Sequence, residues 1–277
     1  MVRALPHGNV ENVRGLRWLG RMSRTRRAKL ETFPEIAPEV CYHFPQPLVP
    51  GVLIRRYQRF LADVRLTDGS TVTAHCPNSG SMLSCLEPGA PVCCSANTDP
   101  RRRTAFTWEM IRINGAWVGV NTLIPNRLVA EAARLQALPL FGEVTEVATE
   151  VRIAPGTRID LVAMRPQGRL VVEVKNVTLA RGDRAEFPDA VTSRGAKHLR
   201  ELMRLQQAGT ACAMVYVVQR SDVRRFGPAL DIDPEYGRLL AEARRAGVAV
   251  CAVQAEVRPR AVCLRRQLPL LPTAANG

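Results

Sequence analysis

Short runs of alternating apolar and polar residues fill the chain from Gly51 to about Asn121. Residues 59–66 alternate in this way, Thr67-Asp68-Gly69-Ser70 has the composition of a hairpin turn, and residues 71–74 read as the returning strand. Further turn sequences interrupt the strands that follow. Many short strands with regular turns predict a small β-barrel, and the oligonucleotide/oligosaccharide-binding (OB) type is the version we favour.

The pattern changes after Pro125. An amphipathic helix is predicted at about 127–136, capped by Asn126, and three strand-like segments follow at 146–153, 158–164 and 169–176. A helix at 193–207 precedes an apolar run at 211–218, typical of a strand buried on both faces. A last helix ends at Gly247 and a last strand covers 248–253. This order predicts an α/β domain of the αβββαβ type behind the barrel.

Four segments result from these patterns. Residues 1–47 are basic and rich in proline, which predicts a flexible N-terminal extension. The barrel is expected at 48–121, the α/β domain at 122–256 and a C-terminal tail at 257–277. Neither an apolar run of about 18 residues nor a secretory leader is recognisable, so we expect a cytoplasmic protein that does not enter a membrane.

The net charge of +14 favours a polyanion as partner, although an arginine-rich composition also occurs on ordinary solvated surfaces. Lysine is rare: of 39 basic residues only Lys29, Lys175 and Lys197 are lysines. Because lysine is a compact charge that can lose its proton when desolvated, a lysine in such a sequence points to chemistry.

Lys175 belongs to the pattern D-x12-E-x-K formed with Asp160 and Glu173. Residues two apart in a strand share a face, so Glu173 and Lys175 point the same way, and a hairpin would bring Asp160 close to them. Two adjacent carboxylates repel each other unless a cation lies between them, and hard oxygen ligands suit Mg²⁺ or Mn²⁺. The carbonyl of Val174 and the side chain of Glu150 are further candidate metal ligands, with Glu131 a weaker one. An ordinary cross-strand salt bridge is the alternative explanation of E-x-K.

The eight cysteines contain no C-x-x-C pair, and several lie in apolar runs where a reduced thiol behaves as a small hydrophobe. His75, Cys76 and Cys85 could be imagined as zinc ligands, but their spacing fits no structural zinc pattern.

Several longer motifs also resemble a known family. They are RRYQRFLADV (55–64), TAHCPNSGSM (73–82), GVNT (119–122), PN (125–126), RID (158–160), EVKNVTL (173–179) and FPDAVTSRGAKHL (187–199). Together they resemble the sugar fermentation stimulation protein A family of bacteria and archaea, over about residues 48–255. The basic segment before residue 48 is extra to the usual family length, and Thr157 stands where serine is common.

The resemblance implies an OB-type barrel, a PD-(D/E)xK nuclease-like domain with Asp160, Glu173 and Lys175 as its catalytic set, and non-specific binding to DNA with a proposed role in regulating maltose metabolism. An active Mg²⁺- or Mn²⁺-dependent phosphodiesterase on DNA or RNA is the alternative function, and sugar binding by the barrel is a third. The residues expected to contact nucleic acid are Arg55, Arg56 and Arg59 on the barrel and Arg194, Lys197 and His198 on the second helix. For the helical set, salt bridges to Glu201 are the competing explanation.

Overall fold

The structure is a computed structural model that describes residues 35–154 and 157–272. The strands of the first half are β1 (Cys41–His43), β2 (Val49–Tyr57), β3 (Leu61–Leu66), β4 (Thr71–His75), β5 (Pro91–Ala96), β6 (Phe106–Ile113) and β7 (Ala116–Gly119). Then follow α1 (Leu123–Arg134), β8 (Glu146–Ala154), β9 (Thr157–Met164), β10 (Leu170–Val177), β11 (Leu179–Arg181), β12 (Arg184–Phe187) and α2 (Ser193–Gln207). The last elements are β13 (Ala211–Val218), β14 (Arg225–Pro228), α3 (Pro234–Arg245), β15 (Ala249–Arg258) and β16 (Ala261–Gln267).

The predicted barrel is confirmed. One sheet has the strand order β4-β3-β2-β5-β6-β7, and the additional pairing of β4 with β6 closes five of these strands into a barrel. Alternation decides which side chains face inward: Ala62 and Val64 are fully buried, whereas Arg65 between Val64 and Leu66 is exposed. Trp108 fills the interior, and its indole N–H donates to the carbonyl of Met110 at 2.9 Å.

A seven-stranded sheet in the order β1-β16-β15-β13-β10-β9-β8 forms the second half. Strands β10, β13 and β15 are parallel, as their continuous apolar sequences lead one to expect, while β8, β9 and β10 pair antiparallel. Helix α1 covers one face of this sheet, and α2 and α3 cover the other. The αβββαβ order is therefore confirmed, and a small sheet β11-β12-β14 that the sequence did not indicate is added to it.

Both predicted terminal segments extend into this sheet, which corrects the boundaries. Residues 1–34 of the expected extension lie outside the described residues, but β1 pairs antiparallel with β16 and Val40 before it is fully buried. The expected tail from residue 257 contains the end of β15 and all of β16, with Val257, Val262 and Leu264 buried. The buried apolar side chains of both segments pack into the core beneath α1, and this packing holds the segments in the sheet. Within the described residues, no helix has the length and apolar character needed to span a membrane.

Cys41 and Cys263 form a disulfide between β1 and β16, contrary to the expectation of reduced cysteines. Cys76, Cys85, Cys93, Cys94, Cys212 and Cys251 are free and buried. Because the bridge joins positions 222 residues apart, it removes much freedom from the unfolded chain. We expect dithiothreitol to lower the free energy of unfolding by about 2–4 kcal/mol in urea titrations.

The double variant Cys41→Ser/Cys263→Ser is the matched control for that measurement. It should show the lower stability without reductant and no further loss when reductant is added. An unchanged unfolding midpoint of the wild type in dithiothreitol would contradict the prediction.

Candidate metal and nucleic-acid site

Strands β9 and β10 separate at the predicted site. Their pairing runs from Leu170 opposite Ala163 to Val172 opposite Leu161 and is not continued to the next pair, Glu173 and Asp160. The Asp160 carboxylate replaces the missing backbone partner at this point, because its Oδ2 accepts the backbone N–H of Val174 at 2.8 Å. The hairpin predicted from the sequence thus brings Asp160 beside the strand that carries Glu173 and Lys175.

Asp160 is also held from α1. The amide Nδ2 of Asn126 donates to Asp160 Oδ1 at 3.0 Å, so both carboxylate oxygens have a protein partner. Burial raises the pKa of the Asp160 carboxyl, and the nearby charge of Glu173 raises it further. The predicted capping role of Asn126 is wrong: α1 begins at Leu123, and Asn126 lies inside the helix, where its side chain reaches the sheet.

Glu173 lies on the opposite face of β10 from Val174, toward α2. Its Oε1 contacts both the Lys175 ammonium and Nδ1 of His198, and its side chain is only 2 % exposed. Lys175 and His198 are themselves close, with 3.3 Å between Nζ and Nδ1. Burial acts to raise the pKa of the Glu173 carboxyl, but the His198 hydrogen bond and the Lys175 charge outweigh it and lower that pKa.

The second oxygen of Glu173 fits a cation. Among the described residues, Oε2 of Glu173 is one of the few buried side-chain atoms with no hydrogen-bond partner. A buried, charged acceptor without a partner is costly, and a hard divalent ion would satisfy it. Oε2 of Glu173 is therefore a chemically suitable ligand for Mg²⁺ or Mn²⁺. The Asp160 carboxylate lies toward α1, where its oxygens accept from Asn126 and Val174.

Two other proposed metal ligands, Glu150 and Glu131, are already paired with arginines. The Glu150 carboxylate forms a salt bridge with Arg158 at 3.0 Å, and Glu131 forms one with Arg134 at 3.3 Å. Both line a cavity that Asp160 also lines, on the α1 side of the sheet. Across the described part of the chain, ligand atoms of three His, Cys, Asp or Glu residues come within 4.8 Å of one another only at Glu39 and the disulfide pair Cys41–Cys263. The zinc set around His75 does not assemble there.

A basic cavity of about 440 Å³ opens on the α2 side of the same strands. Its lining residues come from the β8–β9 hairpin and from α2: Arg152, Arg158, Ile159, Arg194, Lys197, His198 and Glu201. Glu201 is bonded to Arg204 at 2.7 Å, and salt bridges from Lys197 or His198 to Glu201 do not occur among the described residues. The side chain of His198 is only 11 % exposed and contacts Glu173. It therefore belongs to the group formed by Asp160, Glu173 and Lys175, which we call the acidic site, and not to the surface.

The barrel arginines differ from one another. Arg55 pairs with Asp63 at 2.8 Å and its guanidinium lies over the Tyr57 ring, while Arg59 is exposed in the β2–β3 turn. Arg56 donates to the carbonyls of Asn78 and Gly80 at 2.8 and 2.9 Å. These hydrogen bonds hold a loop of the barrel, and the expected contact of Arg56 with nucleic acid stays a prediction.

Two sets of contacts that join the barrel to the α/β domain were not predicted. The Asp189 carboxylate accepts the N–H of Met82 at 2.8 Å, and a Cβ at Gly80 would lie within 2.7 Å of that carboxylate, so this approach requires glycine. At the end of β13, Gln219 Nε2 donates to the carbonyl of Asn121 at 3.0 Å, and the buried Arg220 donates to Ser84 Oγ at 3.1 Å. The only available signal was that Gly80, Asn121 and Asp189 fall inside the motifs quoted above.

The architecture defines the class: an OB-type barrel followed by an α/β domain whose seven-stranded mixed sheet is covered by helices on both faces. Family models agree, since the sugar fermentation stimulation protein RE domain matches residues 123–261 and the SfsA N-terminal OB domain matches residues 54–120. The chain belongs to the sugar fermentation stimulation protein family.

Individual relatives support this assignment. The homologue from Geobacter sulfurreducens is 51% identical over 227 residues, covering 82% of this chain and 97% of its own length. The homologue from Geobacter metallireducens is 50% identical over 228 residues, with 82% and 98% covered. Pyrococcus furiosus SfsA, solved in complex with Ca²⁺, superposes with a TM-score of 0.76 at 24% identity over 85% of this chain and 100% of its own, a likeness that shows the fold.

Proposed function

We propose that this chain binds nucleic acid without sequence specificity in the cytoplasm, and that its α/β domain hydrolyses phosphodiester bonds with Mg²⁺ or Mn²⁺. One observation carries the proposal: a buried Glu173 with a free oxygen lies beside Asp160 and Lys175, next to a cavity lined by arginines and a lysine. Carboxylates for a cation and basic groups for phosphates are the two components that phosphodiester hydrolysis requires.

The residues would divide the work as follows. Asp160 and Glu173 would hold the ion, which when bound would polarise a phosphate oxygen and make a water molecule more acidic. Lys175, whose ammonium contacts the Glu173 carboxylate, would neutralise negative charge that develops on the phosphate. Asn126 orients Asp160, and His198 orients Glu173.

Binding should weaken steeply as salt rises. If the four basic residues of the basic cavity each neutralise one phosphate, the slope of log K against log salt is about −3.6, and affinity falls about 10²-fold between 50 and 200 mM salt. The double variant Arg194→Gln/Lys197→Gln should reduce the slope by about 2. Fluorescence anisotropy with labelled DNA measures both quantities.

A matched control is Arg244→Gln/Arg245→Gln, which removes the same charge from the end of α3. A salt-independent affinity, or equal slopes for the two double variants, would contradict phosphate binding in the basic cavity.

Hydrolysis is tested by incubating the protein with plasmid and with single-stranded DNA or RNA in Mg²⁺, in Mn²⁺ and in EDTA. We expect cleavage in the metal-containing samples only. Intact substrate in every sample would sink the catalytic half of the proposal and leave the binding half standing.

Binding without turnover is the second candidate, and one contact favours it. Because Lys175 and His198 both contact Oε1 of Glu173, the carboxylate charge is already compensated within the protein. A protein of this kind would coat DNA and regulate genes of sugar metabolism, a role for which the name of its relatives is the support.

A further inference from the structure

The acidic site separates two cavities of different chemistry. His198 lines the basic cavity on the α2 side, and Asp160 lines the second cavity, of about 520 Å³, on the α1 side. We call the latter the α1-side cavity; its walls include Tyr42, Leu123, Arg127, Arg134 and Asp160. A ligand that spans the site would therefore place different chemical groups on its two sides.

Charge assigns phosphates to the basic cavity. Four basic residues line it, of which Arg158 also pairs with Glu150, and its one acid, Glu201, is bonded to Arg204. The α1-side cavity carries two arginines, Arg127 and Arg134, against three carboxylates. Its balance of charge therefore does not favour a polyanion.

The α1-side cavity has a planar guanidinium and an aromatic ring in its wall. The guanidinium of Arg127 lies over the Tyr42 ring, 5.2 Å from the centroid, and Leu123 at the rim is 59 % exposed. Aromatic rings and guanidinium planes are the surfaces on which proteins stack unpaired bases, and an exposed leucine adds apolar contact. A volume of about 520 Å³ is in the range of small-molecule sites.

We propose that the α1-side cavity binds one unpaired nucleobase of a strand whose neighbouring phosphates occupy the basic cavity. A base within a duplex is covered by its stacked neighbours and cannot enter such a cavity unless it is extruded. The preferred ligand is thus single-stranded nucleic acid, or a strand with an unpaired position. This inference rests on the proposed function and specifies its substrate class.

The test compares a single-stranded oligonucleotide carrying 2-aminopurine with the matched duplex, in EDTA so that cleavage does not interfere. Wild type should bind the single strand more tightly and quench the 2-aminopurine fluorescence by stacking. Tyr42→Leu and Arg127→Met should each weaken single-strand binding about 5- to 100-fold, relieve the quenching and leave duplex affinity unchanged. Arg200→Met, on the exposed side of α2 where Arg200 pairs with Glu235, is the control and should behave as wild type.

The possible failures are distinguishable. If wild type binds neither oligonucleotide, the proposed function fails and the inference with it. If wild type binds but Arg127→Met has no effect, or if both variants weaken single strand and duplex equally, the cavity takes no base although nucleic-acid binding stands. Tyr42→Leu could loosen β1, so Arg127→Met, an exposed helical substitution, decides the outcome, and thermal unfolding confirms that both variants are folded.

Discussion

Replacement of Glu173 by glutamine is expected to lower Mg²⁺- or Mn²⁺-dependent cleavage of DNA by about 10³-fold or more. Glutamine keeps the size of the side chain but removes the charge on which a cation at Oε2 depends. The same change takes the anion away from Lys175 and His198, whose contacts with Oε1 fix the side chain. Orientation and charge are lost together, which is why we expect the largest effect of any single substitution here.

Initial rates of plasmid cleavage under saturating metal measure this effect, and Lys175→Met should reduce the rate to a smaller extent. Glu242→Gln, a carboxylate exchanged on α3 where it pairs with Arg238, is the matched control and should cleave as wild type. Oligonucleotide affinity in EDTA shows whether each variant is folded and still binds. Cleavage by Glu173→Gln at the wild-type rate would place the chemistry elsewhere.

Local patterns were sufficient for most of the fold. The boundaries of α2 and β13 are as expected because a polar cap at Thr192, an apolar stripe and a glycine stop are encoded within the segment itself. Strands β1 and β16 were missed for the opposite reason. Each depends on pairing at a sheet edge: β1 contains only three residues, and its partner is more than 200 positions away.

Some contacts of the acidic site could be predicted from the sequence and others could not. Spacing within one hairpin placed Asp160 near Glu173 and Lys175, because the register of adjacent antiparallel strands follows from the turn between them. The contacts of Asn126 and His198 depend on how α1 and α2 pack against opposite faces of the sheet. A helix can be predicted from its own sequence, but its rotation over a sheet is set by the whole core, so these partners could not be derived.

Arg220 shows how the two halves of the molecule are held together. Its side chain is only 2 % exposed and donates to the Thr178 carbonyl and to Ser84 Oγ, at 2.7 and 3.1 Å, while forming two hydrogen bonds of 2.7 Å with Asp222. Ser84 belongs to the loop between β4 and β5 of the barrel, whereas Thr178 follows β10 of the α/β domain. One buried guanidinium thus satisfies acceptors from both halves.

We expect Arg220→Met to lower the free energy of unfolding by about 3–5 kcal/mol, because methionine fills the space but leaves a carbonyl, a hydroxyl and the Asp222 carboxylate without their donor. The control is Arg225→Met, which breaks an exposed ion pair with Asp183 and should cost about 1 kcal/mol or less. Urea unfolding followed by circular dichroism measures both. Equal losses in the two variants would mean that the buried guanidinium does not hold the halves together.

A loss confined to Arg220→Met, with barrel tryptophan fluorescence and far-UV signal changing together, would show that the barrel and the α/β domain unfold as one cooperative unit.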